Sequence, residues 1–198
     1  DALVHGEKSL ALITAGAEGG NIKAQTIFGL MHAYGIGVDH DQSAALRWYR
    51  VAADKGFPPA QLLVGMQYMV GSGVEQNAAE AAEWFRKAAE NGHNLAQVFL
   101  GMLLIDGNGV RQDNAEGVKW LRKAAESGLD IGQGLLGEAY LYGTGLTQDY
   151  VNAHMWCNLA STSSHPYLRD AAGKCRSEAE SHMRLQDVAE AQRQAREW

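Results

Sequence analysis

The residues best suited to metal chemistry in this 198-residue chain are seven histidines and two cysteines. Zinc sites place their ligands at recognisable spacings, such as H-E-x-x-H or a tight Cys/His cluster. Neither pattern occurs, because the histidines stand apart at positions 5, 32, 40, 93, 154, 165 and 182. The sequence therefore predicts no metal site.

Other catalytic patterns are equally absent from the sequence. No serine stands in a G-x-S-x-G elbow, the turn that presents a hydrolytic nucleophile. Gly35-Ile36-Gly37 follows a helical segment and has Asp39 and His40 where a dinucleotide-binding loop would need a third glycine. The acidic residues fall largely on faces expected to meet solvent. We therefore expect no catalytic residue, no cofactor and no enzyme.

The charge balance excludes further classes of partner. The formal net charge is −6 and no block of lysine and arginine occurs, so nucleic acid is not an expected partner. No apolar run approaches the roughly 20 residues that cross a bilayer, so membrane insertion is not expected. The chain begins at Asp1, which fits a mature exported protein or a trimmed chain, and we favour the bacterial periplasm over the cytoplasm.

A repeat of 36 residues positions most of the remaining side chains. The tryptophans show it first, at positions 48, 84, 120 and 156. Glutamine recurs in the same register at 25, 61, 97 and 133, and glycine at 29, 65, 101 and 137. Several independent columns with one period indicate an array of similar units.

Residues 60–95 illustrate how one unit folds. Residues 60–70 have apolar side chains at helical spacing and form the first helix, helix A. Gly71 and Gly73 then end helix A and open a turn, since glycine tolerates the left-handed conformation that ends many helices. Asn77 is the expected N-cap of helix B, which carries Trp84 and Phe85 on its apolar stripe.

Glycine in the middle of helix A has a packing explanation. Gly65 costs about 1 kcal/mol relative to alanine in a helix, so its recurrence predicts that another helix backbone passes close by. One unit cannot bury its apolar face alone, and stacked neighbours provide a continuous core. The tryptophans are better explained by this packing than by an aromatic binding platform. The fold class expected is an all-α, right-handed α/α superhelical solenoid of four helix-turn-helix repeats.

The repeated motif resembles the Sel1-like repeat (SLR), a relative of the tetratricopeptide repeat. The residues that carry this resemblance in one unit are Ala60, Gln61, Gly65, Tyr68, Gly71, Gly73, Val74, Ala81, Trp84, Phe85, Arg86, Lys87, Ala88, Ala89, Glu90 and Gly92. The resemblance implies an adaptor that holds a peptide or protein segment in the concave groove of a superhelix. Some exported relatives carry a cysteine pair in every repeat and are linked to β-lactam binding, a pattern that this chain lacks.

We expect one repeat domain over residues 1–198. Its parts are a partial N-terminal repeat at 1–23, repeats at 24–59, 60–95, 96–131 and 132–167, and a C-terminal helical cap at 168–198. The partial repeat is what a longer array cut at Asp1 would give. Two interpretations stay open for Cys157 and Cys175: buried free thiols, or a disulfide that joins the last repeat to the cap in an oxidising compartment.

The geometry of tetratricopeptide repeats places the partner-binding surface on the A helices. By that transfer, the expected partner-binding residues are Leu30, Tyr34, Leu62, Met66, Met69, Val98, Met102, Ile105, Glu138, Leu141 and Tyr142. Most of them are apolar, and flexible methionines adapt to irregular partners. The alternative is that tight curvature buries these residues between adjacent A helices.

Three functions follow from these observations. The preferred one is a protein–protein interaction scaffold with a protein or peptide partner. The first alternative is a cell-wall-related enzyme or β-lactam-binding protein, which would need a polar cleft with converging acid, base or nucleophile. The second is a rigid structural segment of a larger repeat array.

Overall fold

The structure is a computed structural model that describes the backbone of residues 2–198 and the side chains of residues 8–198. These residues form eleven α-helices and no strand, so the all-α architecture is confirmed. The helices are α1 Ala2–Glu18, α2 Ile22–Tyr34, α3 Gln42–Ala53, α4 Pro58–Val70, α5 Ala78–Glu90, α6 Asn94–Asp106, α7 Asn114–Glu126, α8 Asp130–Tyr142, α9 Tyr150–Ala160, α10 Pro166–Ser181 and α11 Leu185–Glu197. Asp1, where the predicted partial repeat begins, lies outside the described residues.

The helices fall into two compact units that divide between Ala96 and Gln97. The first unit contains α1 to α5, and the second contains α7 to α11 with most of α6. The A helices of the repeats are α2, α4, α6 and α8, and the B helices are α3, α5, α7 and α9. In both units an A helix packs against the B helix that follows it.

The helix ends follow the local sequence. Asn77 caps α5, because its side-chain oxygen accepts hydrogen bonds from the backbone N–H of Ala79 and of Glu80, both at 3.1 Å. The predicted N-cap is thus confirmed. The A helix α4 begins at Pro58, two residues before the expected Ala60, because proline suits a first turn that has no intrahelical N–H bond to make.

Glycine is required where each A helix turns toward its B helix. Gly71 ends α4 with φ at 73°, and its N–H donates to the carbonyl of Gln67. Gly73 has φ at 70°, and a Cβ there would collide with the backbone of Gln42. A larger residue at Gly73 would therefore have to change both the backbone conformation and the packing on α3.

The tryptophan column belongs largely to the core. Trp84, Trp120 and Trp156 are buried, which confirms the packing role expected for them, whereas Trp48 is half-buried. The ring of Trp156 also packs edge-to-face against the ring of Trp198, with centroids 4.7 Å apart. The last helix of the second unit is thus attached to the repeat core by an aromatic pair.

The glycine column of the A helices makes room for a side chain. A Cβ at Gly65 would lie 2.6 Å from the ring of Phe85, so the close neighbour is this ring and not the backbone expected from the sequence. At Gly101 the expectation is closer to the structure, since a Cβ there would lie 2.9 Å from the carbonyl oxygen of Gly117. Large residues on helix B explain the glycine better than backbone contact alone.

The glutamine column caps the preceding helix. The side-chain amide of Gln61 donates to the carbonyl of Ala53 at the end of α3 (3.2 Å), and Gln25 does the same for Ala17 in α1 (3.1 Å). In the second unit Gln133 donates to the carbonyl of Ala125 in α7 (3.5 Å). Each of these buried amides is a second donor to a carbonyl in the last turn of a helix, which also accepts from the N–H of the glycine three residues later.

A disulfide joins α9 to α10 in the second unit. It links Cys157 to Cys175, whose Cα atoms are 6.0 Å apart. Of the two interpretations left open by the sequence, the structure therefore has the disulfide. Both cysteines are buried and pack with Leu141, Ala153 and Ala179, so Cys157 also fills the core position expected for it.

Candidate functional site

A cavity opens on the A helices of the first unit. This first-unit pocket has a volume of about 220 Å³ and lies between α2 and α4, with α3 beneath it. Its main lining residues are Leu30, Tyr34, Tyr49, Leu63, Met66 and Val70. Tyr34 and Val70 are 73% and 69% exposed, so large apolar side chains stand in solvent at its rim.

The second unit has a cavity of similar size. This second-unit pocket has a volume of about 200 Å³ and lies between α6 and α8, with α7 beneath it. Its main lining residues are Met102, Asp106, Leu121, Leu135, Glu138 and Tyr142. Met102 and Tyr142 are 38% and 62% exposed, again at the rim.

The two cavities occupy the same positions of the repeat. Every residue that lines the second-unit pocket has a counterpart in the first-unit pocket 72 residues, or two repeats, earlier in the chain. Met102 corresponds to Leu30 in this way, and Tyr142 to Val70. The pocket therefore recurs with the repeat and is formed in each unit between one A helix and the next.

The first-unit pocket is uncharged. Its lining consists of aliphatic, aromatic, amide and hydroxyl side chains. Burial, with a smaller contribution from Tyr34, raises the pKa of Tyr49 to about 12, so the phenol of Tyr49 stays neutral at physiological pH. An apolar or neutral side chain of a partner suits such a cavity.

The second-unit pocket is acidic. Asp106 and Glu138 replace Tyr34 and Met66 of the first unit, and no lysine or arginine lines this cavity within the described residues. Burial raises the pKa of Glu138 above its ordinary value, because a half-buried carboxylate loses part of its hydration. The carboxylate of Glu138 is therefore partly desolvated at the cavity wall.

A further cavity of the second unit adjoins this wall. It shares Glu138 and Tyr142 with the second-unit pocket and reaches Lys174 and Glu178 on α10. The hydroxyl of Tyr142 donates a hydrogen bond to the carboxylate of Glu178 (3.0 Å), which links α8 to α10. The cap helix α10 thus extends the surface beyond the repeats.

Seven of the eleven residues predicted to contact a partner line one of the two pockets. Three lie in the first-unit pocket and four in the second-unit pocket. They are Leu30, Tyr34 and Met66, and Met102, Ile105, Glu138 and Tyr142. Met69 is half-buried and lines neither cavity.

The other three predicted residues are buried, which corrects the expectation that they face a groove. Leu62, Val98 and Leu141 are 8%, 1% and 2% exposed. Val98 lies one helical turn before Met102. It forms a cluster with Leu121 and Ala124, and Leu135 of the next A helix packs against this cluster. Leu141 is covered by the cap, through Cys175 and Ala179 of α10. For these positions the alternative of burial between helices holds.

The residues that close the pockets from below were not among those predicted from the sequence. Tyr49 and Leu121 belong to helix B and form the floors, on the column that packs against the glycines of helix A. That pairing of a large residue with a recurring glycine was the available signal. Glu178 lies outside the repeats, and no sequence pattern pointed to it.

Metal sites and membrane spans can be assessed from the same described residues. No group of three or more His, Cys, Asp or Glu side chains is placed to hold a metal ion in the described part of the chain. Among the same residues, none of the helices combines the length and the apolar character that crossing a bilayer requires.

Comparison with protein families identifies the repeat. The Sel1 repeat model matches residues 22–57, 58–93, 94–129 and 131–165, which is most of the chain. The chain belongs to the Sel1-repeat family. The resemblance expected from the motif and the helical solenoid fold are thereby confirmed, and the Sel1 repeat fold is commonly a scaffold for protein interactions.

Solved structures of other Sel1-repeat proteins are similar. An SLR-fold protein of uropathogenic Escherichia coli strains, described as a protective antigen, is 30% identical with a TM-score of 0.79 over 93% of this chain. The chain spans only 40% of the length of that protein. A Sel1 repeat protein from Oxalobacter formigenes is 26% identical with a TM-score of 0.76, and the match covers 91% of this chain and 81% of the other. Curated protein sequences give no match.

Proposed function

We propose that this Sel1-repeat protein is a scaffold that binds a peptide or protein segment in the pockets on its A helices. The observation that carries the proposal is the exposure of large apolar side chains around both cavities. Tyr34, Met66 and Val70 surround one, and Met102 and Tyr142 the other, each between 38% and 73% exposed. Exposed apolar side chains grouped around a cavity are typical of interaction sites.

The chemistry of the pockets favours a polypeptide partner over a reaction. Cavities of about 200 and 220 Å³ are smaller than most sites for small-molecule substrates, but they fit single side chains. Two copies of one pocket in a repeat suit a chain that offers side chains at intervals. The eight predicted residues that are not fully buried are the proposed partner-binding set.

The disulfide supports an exported protein. Disulfides persist in oxidising compartments such as the bacterial periplasm and are rare in the cytosol. Cys157 and Cys175 are bonded in the second unit, and the described residues contain no free cysteine. We therefore place the proposed partner outside the cytoplasm.

A selection from a phage-displayed library of random peptides tests the proposal. Peptides enriched on the purified protein are synthesised, and their affinity is measured by fluorescence polarisation. The double variant Met66→Glu/Met102→Glu is expected to weaken the binding of peptides that offer only apolar side chains about tenfold or more, because burying an unpaired carboxylate against an apolar partner is costly. Circular dichroism on the same sample should show unchanged helicity, since both methionines reach solvent.

Val51→Glu is the matched control. Val51 is 42% exposed, a fraction similar to the 39% of Met66, but it lies on helix B and lines neither pocket. It should leave affinity unchanged. Loss of binding by Val51→Glu alone would place the partner on the outer helices. Normal binding by the double methionine variant would remove the pockets from the function.

A further inference from the structure

The acidity of the second-unit pocket is not required by the fold. Asp106 and Glu138 occupy positions at which the first unit has Tyr34 and Met66, and both units form a cavity of nearly the same volume. A neutral pair therefore suffices to form the pocket. The two carboxylates change only what the cavity attracts.

Glu138 makes no ion pair within the described residues. It is half-buried, and burial raises the pKa of its carboxyl group. Partial burial of a carboxylate costs free energy unless an opposite charge or a hydrogen-bond donor compensates it. A cationic group that entered the cavity would supply this compensation.

The surroundings of Glu138 add to the negative potential. Asp106 lies in the same cavity, and Glu178 lines the adjoining one. Lys174 and Asp170 also line that adjoining cavity, but their charges are paired at 2.8 Å and cancel. Clefts lined by one sign of charge concentrate the opposite charge.

The remaining walls of the second-unit pocket are apolar. Met102, Ile105 and Leu121 line it with aliphatic and thioether groups, and Tyr142 adds an aromatic ring at the rim. Lysine and arginine combine an aliphatic stem with a charged end, and both pack favourably on aromatic faces. A carboxylate at one side of an apolar cavity therefore matches the shape and charge of a basic side chain.

We infer that the second-unit pocket binds a lysine or arginine side chain of a partner peptide, next to a large apolar residue of the same peptide. This inference rests on the proposed scaffold function. The first-unit pocket, with the same positions but no charge, takes an apolar or neutral side chain. The repeat thus provides two pockets of one shape with different specificities.

Exchanging the residues between the two pockets tests the inference. The random peptide library is selected in parallel on the wild-type protein, on Glu138→Met and on the double variant Asp106→Tyr/Glu138→Met, which carry the residues of the first unit. Peptides from the wild-type selection should be enriched in lysine or arginine, and both variants should lose that enrichment while still selecting apolar peptides. Glu138→Gln, which keeps the size and removes the charge, should weaken the best basic peptide about tenfold.

The reciprocal variant provides a gain of function. Tyr34→Asp/Met66→Glu gives the first-unit pocket the acidic pair. Titration calorimetry of this variant with the best basic peptide should therefore show a second binding site. Sodium chloride should weaken the basic peptides more than the apolar ones, because salt screens the charge pair. Circular dichroism of every variant confirms that it is folded.

Each outcome decides a different point. If no peptide is enriched on the wild-type protein, the scaffold proposal itself fails. If peptides are enriched without basic residues, or if Glu138→Met and Glu138→Gln keep the basic preference, only this inference is overturned. If sedimentation shows a dimer of the wild type that Glu138→Met dissociates, a second copy of the chain occupies the pocket and the inference is again overturned.

Discussion

The first-unit and second-unit pockets are built on the same columns of the repeat, and they differ in an orderly way. The inner positions keep large uncharged side chains. Tyr49 of the first unit corresponds to Leu121 of the second, and Leu63 corresponds to Leu135. The outer positions change in kind, from Tyr34 and Met66 to Asp106 and Glu138. Tyr49 and Leu121 pack against the glycines of helix A, whereas these outer residues are exposed or half-buried and differ in charge between the units.

The residues that hold the helices of the repeat together (the frame) are therefore different from the residues that surround the opening of each cavity (the rim). Residues that recur from unit to unit hold the helices in place, and we propose that residues that vary at the same column decide which side chain of a partner each cavity accepts. The units differ in a second respect, because only the second one has a disulfide and a cap helix beside its pocket within the described residues. The following predictions test how far frame and rim are independent.

Removal of a frame tryptophan should have the largest effect. Trp84→Ala in the first unit and Trp156→Ala in the second should each destabilise the fold by about 3–5 kcal/mol, because each leaves a large cavity in a packed core. Trp48→Ala should cost less, since that ring is half-buried. Urea denaturation measures all three. A loss below about 1 kcal/mol at Trp84 would show an exposed ring and break the idea of a common frame.

Loss of the disulfide should affect the second unit alone. Cys157→Ala/Cys175→Ala should cost about 2–4 kcal/mol, mainly through greater freedom of the unfolded chain. Hydrogen exchange should increase in α9 and α10 and remain unchanged in α2 to α4. As a direct check, thiol titration of the denatured, unreduced protein should find no free thiol. Two free thiols would remove the difference between the units that this prediction uses.

Lowering the pH should reduce the stability of the second unit through His154. This reduction should be smaller than the one caused by loss of the disulfide. His154 is 1% exposed and 3.8 Å from Glu180, and burial lowers its pKa below the ordinary 6.5, with Glu180 opposing the shift and Arg176 adding to it. The unfolded chain therefore binds a proton more readily than the folded one. Stability contributed by neutral His154 is complete above about pH 6.5 and is lost as the pH falls below it.

Urea midpoints at about pH 8 and about pH 5 measure this dependence. His154→Leu should reduce it. His93→Leu is the matched variant in the first unit, because burial also lowers the pKa of His93, which is only half-buried. It should have the smaller effect. An equal effect of the two variants would contradict the difference in burial.

The smallest effect is expected where the units are most alike. The ammonium groups of Lys87 and Lys123 lie 4.0 and 3.9 Å from the ring centroids of Trp84 and Trp120, one pair in each unit. Lys87→Met and Lys123→Met should each cost about 0.5–1 kcal/mol, as cation–π pairs at exposed sites do. Thermal denaturation of both variants should give equal shifts. Unequal shifts would show that the frame differs between the units.

The sequence predicted the frame well because packing acts on every repeat in the same way. The period of 36 residues located the helices, the cap at Asn77 and the buried tryptophans, since each recurs with its own physical cause. It erred by two residues at Pro58, where the first helical turn depends on local chain chemistry. It also explained Gly65 by a neighbouring backbone, although the ring of Phe85 fills that space.

The candidate site was only partly predictable, because contacts at the rim depend on helices that are far apart in sequence. Assigning the inner face to helix A identified Met66, Met102 and Glu138, which line the pockets. Leu141 has the same kind of sequence environment but is buried by α10, a helix outside the repeat pattern. Burial of that kind depends on which helix covers a position, and the period of the repeat does not predict this when the covering helix lies outside the repeats.

The glutamine column has a consequence for how arrays of this kind lengthen and shorten. Gln61 donates to the carbonyl of Ala53 in the preceding repeat, and Gln25 donates to that of Ala17. In these repeats the glutamine therefore finds its acceptor at the end of the helix before it. Insertion or deletion of a whole repeat preserves this bond, whereas a change by a fraction of a repeat leaves the buried amide of the glutamine without its acceptor. Gene duplication in whole repeats therefore disturbs the structure least.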